Sequence, residues 1–261
     1  MRKYVRGWLL ISFPLVAGFL LFYIIPFGYS IYYSLLENVA TNKFAGMANF
    51  LVVINNRFYQ LALKNTLKFI AIDVPILLSI ALALALTFYS TKAKNNVLQA
   101  LLILPLLLPS AAVTPIFEKI SSIVSEAFAV HTLFFWKHIG IFVLVFMAAR
   151  ETIPQNFYEA AAIDGATSFR KFLRITLPLL LPVIAFVAVM GVVFNLRIFK
   201  EIYLMYGAYP DETVYLAQHY MNNQFSKLNY PLLTSSGLLF SSMLMIPIGI
   251  VFLVLRRQRH E

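Results

Sequence analysis

Long apolar runs separated by short polar segments set the rhythm of this chain. Six stretches hold the roughly 20 mostly apolar residues that a helix needs to cross a bilayer. They fall at about 8–32, 64–89, 97–117, 133–149, 176–198 and 232–255. These runs are too long for barrel strands and lack period-two alternation, so the helix is the spanning form that fits. The pattern predicts an all-α, polytopic membrane protein with six transmembrane helices. Between the fourth and fifth runs lies a polar interruption, EAAAIDGATSFRKFLRITLP at 159–178.

That interruption predicts a helix–turn–helix elbow. Pro154 suits a first helical turn, where its missing N–H costs little. Gln155 to Asp164 reads as a short helix, and Gly165 ends it because glycine enters the left-handed region without steric cost. Thr167 or Ser168 caps the next helix, which runs on as the fifth span. Ala160, Ala161 and Ala162 keep the elbow slim enough for a partner groove to approach its backbone. Glu159 offers a charge, and Phe157 and Tyr158 offer apolar handles of the kind that anchor interfaces. A plain amphipathic surface helix joining two spans is the simpler alternative for the helix alone.

Composition agrees with the bilayer as solvent. The 261 residues are 61% hydrophobic and 12% charged, with mean hydropathy +0.79, against about 25% charged in soluble domains. The formal charge of +10 reads as basic inner loops rather than nucleic-acid binding, since no basic stripe with interleaved aromatics stands on a polar face. With the N-terminus inside, the short inner segments hold Arg2, Lys3, Arg6, Lys92, Lys94, Arg150, Arg170, Lys171, Arg174, Arg256, Arg257 and Arg259. Only Glu151, Glu159, Asp164 and Glu261 oppose them. The positive-inside rule then puts both termini and the elbow in the cytoplasm. The N-terminal apolar run exceeds a signal-peptide core and has no small-x-small site after it, so a retained first helix is expected. The absence of cysteine excludes disulfides and thiolate chemistry.

Polar groups inside the spans are the candidate chemistry. Asn195, flanked by Phe194 and Phe199 and one turn beyond Gly191, suits a sugar, because an amide serves hydroxyls and rings stack on C–H faces. Interhelical bonding is the equal alternative. Asp73, followed by Val74-Pro75, costs roughly 2.5–3.5 kcal/mol at a helix centre. A structural pairing or a proline kink suits it better than proton coupling. Arg197 and Lys200 fit an acidic protein surface, an anionic sugar or interfacial anchoring. Tyr203, Tyr206 and Tyr209 fit an outer gate or an aromatic belt. His131, His138, His219 and His260 show no metal-ligand spacing, and no metal site is expected. No G-x-x-x-x-G-K-[ST] loop is present to cradle ATP phosphates.

The full spacing of the elbow, Glu159-Ala160-Ala161, then Gly165, then Ile175-Thr176-Leu177-Pro178, resembles the permease subunits of ABC importers, of the carbohydrate-uptake (maltose-type) branch. Ile153-Pro154 and Asp164-Gly165-Ala166 share the resemblance. So do Phe44-Ala45-Gly46-Met47, Asn49-Phe50, Arg57-Phe58, Asn65-Thr66-Leu67-Lys68-Phe69, Leu104-Pro105, Pro109, Trp136-Lys137 and Gly140. The six spans and the Arg256-Arg257-Gln258-Arg259 end resemble the first of the two permease types. The family likeness implies that the elbow is a cytoplasmic coupling helix between spans four and five. Tyr158, Glu159, Ala160, Ala161, Asp164 and Gly165 would dock on an ATP-binding subunit. It implies a substrate path along Gly191, Phe194, Asn195 and Phe199. It also implies a second homologous permease, two ATP-binding subunits holding ATP and magnesium, an extracytoplasmic solute-binding protein, and no cofactor in this chain. An N-terminal helix with an external segment over 1–60 and a core permease domain over 61–261 are expected, in a bacterial or archaeal cytoplasmic membrane. The sequence departs from the family in a short external segment at about 118–132, in Tyr206-Gly207-Ala208-Tyr209-Pro210 after span five, and in Thr234-Ser235-Ser236-Gly237. A sugar or oligosaccharide is the expected cargo. A polyol, glycerol phosphate, polyamine or peptide carried by the same machinery, or a membrane scaffold or enzyme without transport, are the alternatives.

Overall fold

A computed structural model describes residues 13–90 and 96–258. The basic positions Arg2, Lys3, Arg6, Lys92, Lys94 and Arg259, and the acid Glu261, lie outside the described residues. The described residues are mainly helical, with one short hairpin and connecting turns. Four helices are long and apolar enough to cross a membrane, or five if a bent pair is one span.

The helices are α1 (Phe13–Ser34), α2 (Ala48–Ile54), α3 (Arg57–Ser90), α4 (Asn96–Leu107), α5 (Ser110–Ser121) and α6 (Glu126–Glu151). After them come α7 (Asn156–Ile163), α8 (Ser168–Lys171), α9 (Leu177–Arg197), α10 (Phe199–Tyr206), α11 (Ala217–Ser226) and α12 (Tyr230–Gln258). α8, α9 and α10 follow one another through a π-turn at Phe172–Thr176 to make a single long rod, Ser168–Tyr206. The chain divides into two compact units, Met1–Gln60 with Tyr220–Met245 and Leu61–His219 with Ile246–Glu261.

In the first unit, none of the apolar window of α1 is buried. A helix that is apolar all round and uncovered is solvated by lipid or by another chain. Strands β1 (Leu36–Asn38) and β2 (Lys43–Phe44) pair antiparallel after it. Asn49 Nδ2 donates to the carbonyls of Ser34 and Leu36 at 2.9 and 2.7 Å. Ser235 Oγ donates to the same Ser34 carbonyl at 3.3 Å, and Tyr59 Oη donates to the Ser236 carbonyl at 3.2 Å. The Ser235 hydroxyl thus bridges α12 to α1, as small hydroxyl residues do between membrane helices.

The second unit packs α3, α6 and α9 around one core. Phe134, Phe142 and Phe146 of α6 meet Leu77, Ala81 and Ala85 of α3 and Val187 of α9. Gly140 on α6 has the backbone of α4 against it: a Cβ there would overlap the Leu102 carbonyl. Gly191 on α9 lets α3 approach, since a Cβ would stand 3.0 Å from Val74 Cγ1.

The apolar run at 97–117 is not one straight helix. α4 and α5 meet at 84° across Leu108 and Pro109. Pro109 is extended, with ψ 134°. Proline offers no N–H to continue a ladder, and it drives the residue before it out of the helical region. The external segment expected at 118–132 is mostly helical, because α5 runs to Ser121 and α6 begins at Glu126. Ser125 caps α6 by accepting the Phe128 N–H at 3.2 Å. Two π-turns, Leu20–Ile24 and Phe172–Thr176, each end two residues before a proline, Pro26 and Pro178. Neither is visible in hydrophobic periodicity, which a single extra residue per turn barely disturbs.

Candidate functional site

The elbow is built by local rules. Pro154 stands just before the helix rather than in its first turn, and Asn156 opens α7. At the other end the Ala166 N–H donates to the Ala161 carbonyl at 2.9 Å, and the Gly165 N–H donates to Ala162 at 3.0 Å. That pair of bonds is a Schellman closure. It requires the φ of +71° that Gly165 adopts. Thr167 then caps α8, its hydroxyl accepting the Arg170 N–H at 3.3 Å. Two helices therefore meet at a sharp, fully capped corner.

One side of this corner is anchored and the other is bare. The Tyr158 hydroxyl shares a 2.8 Å hydrogen bond with Thr176 Oγ1, at the end of the π-turn that leads into α9. The Tyr158 ring lies 4.1 Å from the guanidinium carbon of Arg150, whose other face covers Tyr89 at 4.2 Å. Arg150 ends α6 and Tyr89 ends α3, so one buried cation between two rings joins α3, α6 and α7. The outer side shows Glu159, Ala160, Asp164 and Gly165 exposed, and Ala161 half-buried. Beside them Phe157, Ile163 and Phe169 are exposed, Ile163 at 88%. The sequence marked Arg150 only as an inner-segment charge and gave Ile163 no separate role. An isoleucine in a polar loop, and an arginine closing an apolar helix, were the available signals.

A second polar layer lies inside the second unit. Asp73 on α3 is 0% exposed. It accepts from His131 Nδ1 at 2.6 Å and from Asn195 Nδ2 at 2.9 Å. His131 also stacks on Phe69 at 4.3 Å between centroids. Both carboxylate oxygens are thus satisfied, by α6 and by α9, and the buried charge is held by bonds from two other helices. Asn195, 2% exposed, spends its amide on that carboxylate. Of the four residues expected to line a path, Gly191 and Asn195 are buried at the α3–α9 crossing, and Phe194 and Phe199 are half-buried. Phe194 stacks on His138 at 4.9 Å, and Phe199 meets Tyr203 and His219.

Toward the far end of α9, Lys137 of α6 forms a buried ion pair with Glu201 of α10. Ser110, the first residue of α5, donates to Glu201 at 2.8 Å and accepts from Lys137 Nζ at 3.0 Å. These residues line a cavity of about 230 Å³ together with Leu106, His138, Phe194, Arg197 and Lys200. Lys137 was visible as an ionisable residue in an apolar run. Its partner, 64 positions away, was not. At the same end, Asn65 Nδ2 donates to the carbonyls of Glu212 and Tyr215 at 2.6 and 3.0 Å. Thr66 Oγ1 accepts the Ala217 N–H at 3.0 Å, so the Asn-Thr pair of α3 clamps the segment after α10.

Lipid-length helices with polar pairs buried between them, and an exposed corner anchored to several helices, fit a polytopic membrane protein. The family model described as "Binding-protein-dependent transport system inner membrane component" matches residues 76–259. The arabinooligosaccharides transport system permease protein AraP of Bacillus subtilis (strain 168) is 30% identical over 76% of this chain and 71% of its own length. The trehalose/maltose transport system permease protein MalF of Thermococcus litoralis is 28% identical over 80% of this chain and 79% of its own. A chain of the bacterial alginate ABC transporter, solved with an alginate pentasaccharide-bound periplasmic protein, shares the fold with TM-score 0.80 at 22% identity, covering 98% of this chain and 96% of that one. The chain belongs to the binding-protein-dependent transport system inner membrane component family. It is a permease component of an ABC importer, a translocation subunit rather than an enzyme, and a membrane scaffold without transport is set aside.

Proposed function

We propose that this chain is one of two homologous permeases of an importer that carries a sugar or oligosaccharide by alternating access. Its named relatives serve arabinooligosaccharides and trehalose/maltose. In this reading the chain has six spans with both termini in the cytoplasm. α12, a helix of 29 residues, is the sixth span, and α4 with α5 is the bent third. Residues 1–60 form an N-terminal helix and external segment, and 61–261 the core. An extracytoplasmic solute-binding protein delivers cargo. Two ATP-binding subunits hold ATP and magnesium.

The observation that carries the coupling assignment is the two-sided corner at α7. Glu159, Ala160, Ala161, Asp164 and Gly165, with Ile163 beside them, form the surface that docks on an ATP-binding subunit. Tyr158 and Arg150 form its rigid attachment to α3, α6 and α9. A push on the exposed side then turns the spans as one body instead of bending a loop. Phe194 faces the solute, while Gly191 and Asn195 set the helix crossing behind it and Phe199 closes the wall.

The test is the complex reconstituted in proteoliposomes with its ATP-binding and solute-binding subunits. Glu159→Arg and Ile163→Asp are both on the exposed side. Each is expected to cut solute uptake and binding-protein-stimulated ATP hydrolysis by about tenfold or more, roughly 1.4 kcal/mol of coupling. The second permease should still co-purify. Unchanged uptake and stimulation in both variants would show that α7 is not the coupling helix.

A further inference from the structure

We propose that the solute passing the cavity at the head of α9 carries negative charge, a carboxylate or a phosphate on a sugar-sized molecule. This rests on the importer reading above. Three cations, Lys137, Arg197 and Lys200, line the cavity with one carboxylate, Glu201. That carboxylate is already taken by Lys137 and by the Ser110 hydroxyl. The side chains of Arg197 and Lys200 make no hydrogen bond or ion pair among the described residues. Arg197 and Lys200 are both exposed to water, and the cavity presents their two positive charges with no protein group to neutralise them.

A neutral solute gives no return for that surplus. Water screens two exposed cations, and an uncharged hydroxyl that displaces it relieves little of their repulsion. An anion does so through charge-assisted bonds, which are about twice as strong as neutral ones. Anchoring at the lipid headgroups accounts for a lone arginine or lysine. It does not account for two that line the same cavity as a buried Lys137. Phe194 adds an apolar wall beside the charges, the combination of one carbon surface and a few polar groups that fixes a small solute. The volume of about 230 Å³ falls below the ~300–1,000 Å³ of a complete small-molecule site, as befits a cavity whose remaining wall comes from the second permease.

The test uses the assembled complex in phosphatidylcholine nanodiscs, with glucuronate and glucose 6-phosphate as probes, glucose as the neutral control and ionic strength matched. The acids are expected to raise the unfolding temperature and glucose is not. Arg197→Gln with Lys200→Gln should raise the half-maximal acid concentration by about tenfold or more. Arg197→Lys with Lys200→Arg, which keeps the charge, should preserve the response. No response to acid, an equal response to glucose, or an undiminished response in the glutamine variant overturns the proposal. Loss of the acid response in phosphatidylglycerol nanodiscs assigns the cations to lipid headgroups and overturns it too. So does a response to the solute-binding protein alone that salt and the glutamine variant abolish, since the cations then hold a protein surface. Binding-protein-stimulated ATP hydrolysis is read in parallel. Its absence in the unmodified complex sinks the importer reading itself. Its presence without acid selectivity sinks only this inference.

Discussion

The corner at α7 and the polar layer behind α9 are both polar islands in an apolar chain, yet they are made in opposite ways. The corner closes on itself within about a dozen residues, through Gly165, Ala161 and Thr167, and leaves two carboxylates and three large apolar side chains uncovered. The polar layer leaves little uncovered and draws its partners from far apart: Ser110 with Lys137 and Glu201, Asp73 with His131 and Asn195. Local closure makes a rigid exposed part that another protein can grip. Long-range closure makes a part that reports whether the helices are correctly assembled. A permease coupled as proposed would use both, one to receive force and one to keep the bundle intact while it moves.

The contrast breaks most sharply at Lys137. Lys137→Met leaves Glu201 buried with only Ser110, and removing one partner of a buried pair costs about 3–5 kcal/mol. The double variant Lys137→Met with Glu201→Met removes both charges and should recover most of that loss. Thermal unfolding of the purified complex checks both. A double variant no more stable than the single one would show that the pair is not what holds α6 to α10.

The next largest effect depends on pH. His219 lies in α11, outside the candidate spans, and its Nδ1 accepts the Leu216 N–H at 3.1 Å. Burial lowers its pKa from 6.5 to about 4. The imidazole is neutral in both states above pH 6.5. As pH falls through that value, the unfolded chain binds a proton that the folded chain refuses until about pH 4. Stability is therefore lost across this window, reaching about 3 kcal/mol at its acid end. His219→Gln should flatten the slope of unfolding temperature against pH between 6.5 and 4. An identical slope would place the acid sensitivity elsewhere.

The smallest effect belongs to the corner. Gly165→Ala forces a side chain into the left-handed region, at about 1–2 kcal/mol. The loss should stay local. Hydrogen exchange at Ala166 and Arg170, the amides that close and cap the corner, should rise while amides in the cores of α3 and α6 hold. A global rise would mean that the corner is not an independent part.

The same contrast explains what the sequence made legible. Gly165, Thr167 and the alanine run announce their structure because each acts on neighbours within five positions. The apolar runs near α1, α3, α6 and α9 were legible for a similar reason, being set by local hydropathy. The bend at Pro109 was less so, since a proline in an apolar run allows either a kink or a break. Asn195 was readable as important but not as the partner of Asp73, because the pairing depends on the α3–α9 crossing that Gly191 permits. Glu201 carried no signal at all. A glutamate just past an apolar run looks like an interfacial residue until Lys137 is placed beside it.

Asp73 has one further consequence, in time rather than space. Its two partners lie 58 and 122 positions later in the chain. At about 5–20 residues per second of synthesis, roughly 6–24 s separate the emergence of Asp73 from that of Asn195. For that interval one oxygen of the Asp73 carboxylate lacks its final partner, even after His131 has reached the other. A helix in the core of the second unit thus completes its polar contacts late, and a nascent chain halted before Asn195 carries a chemical mark of being unfinished.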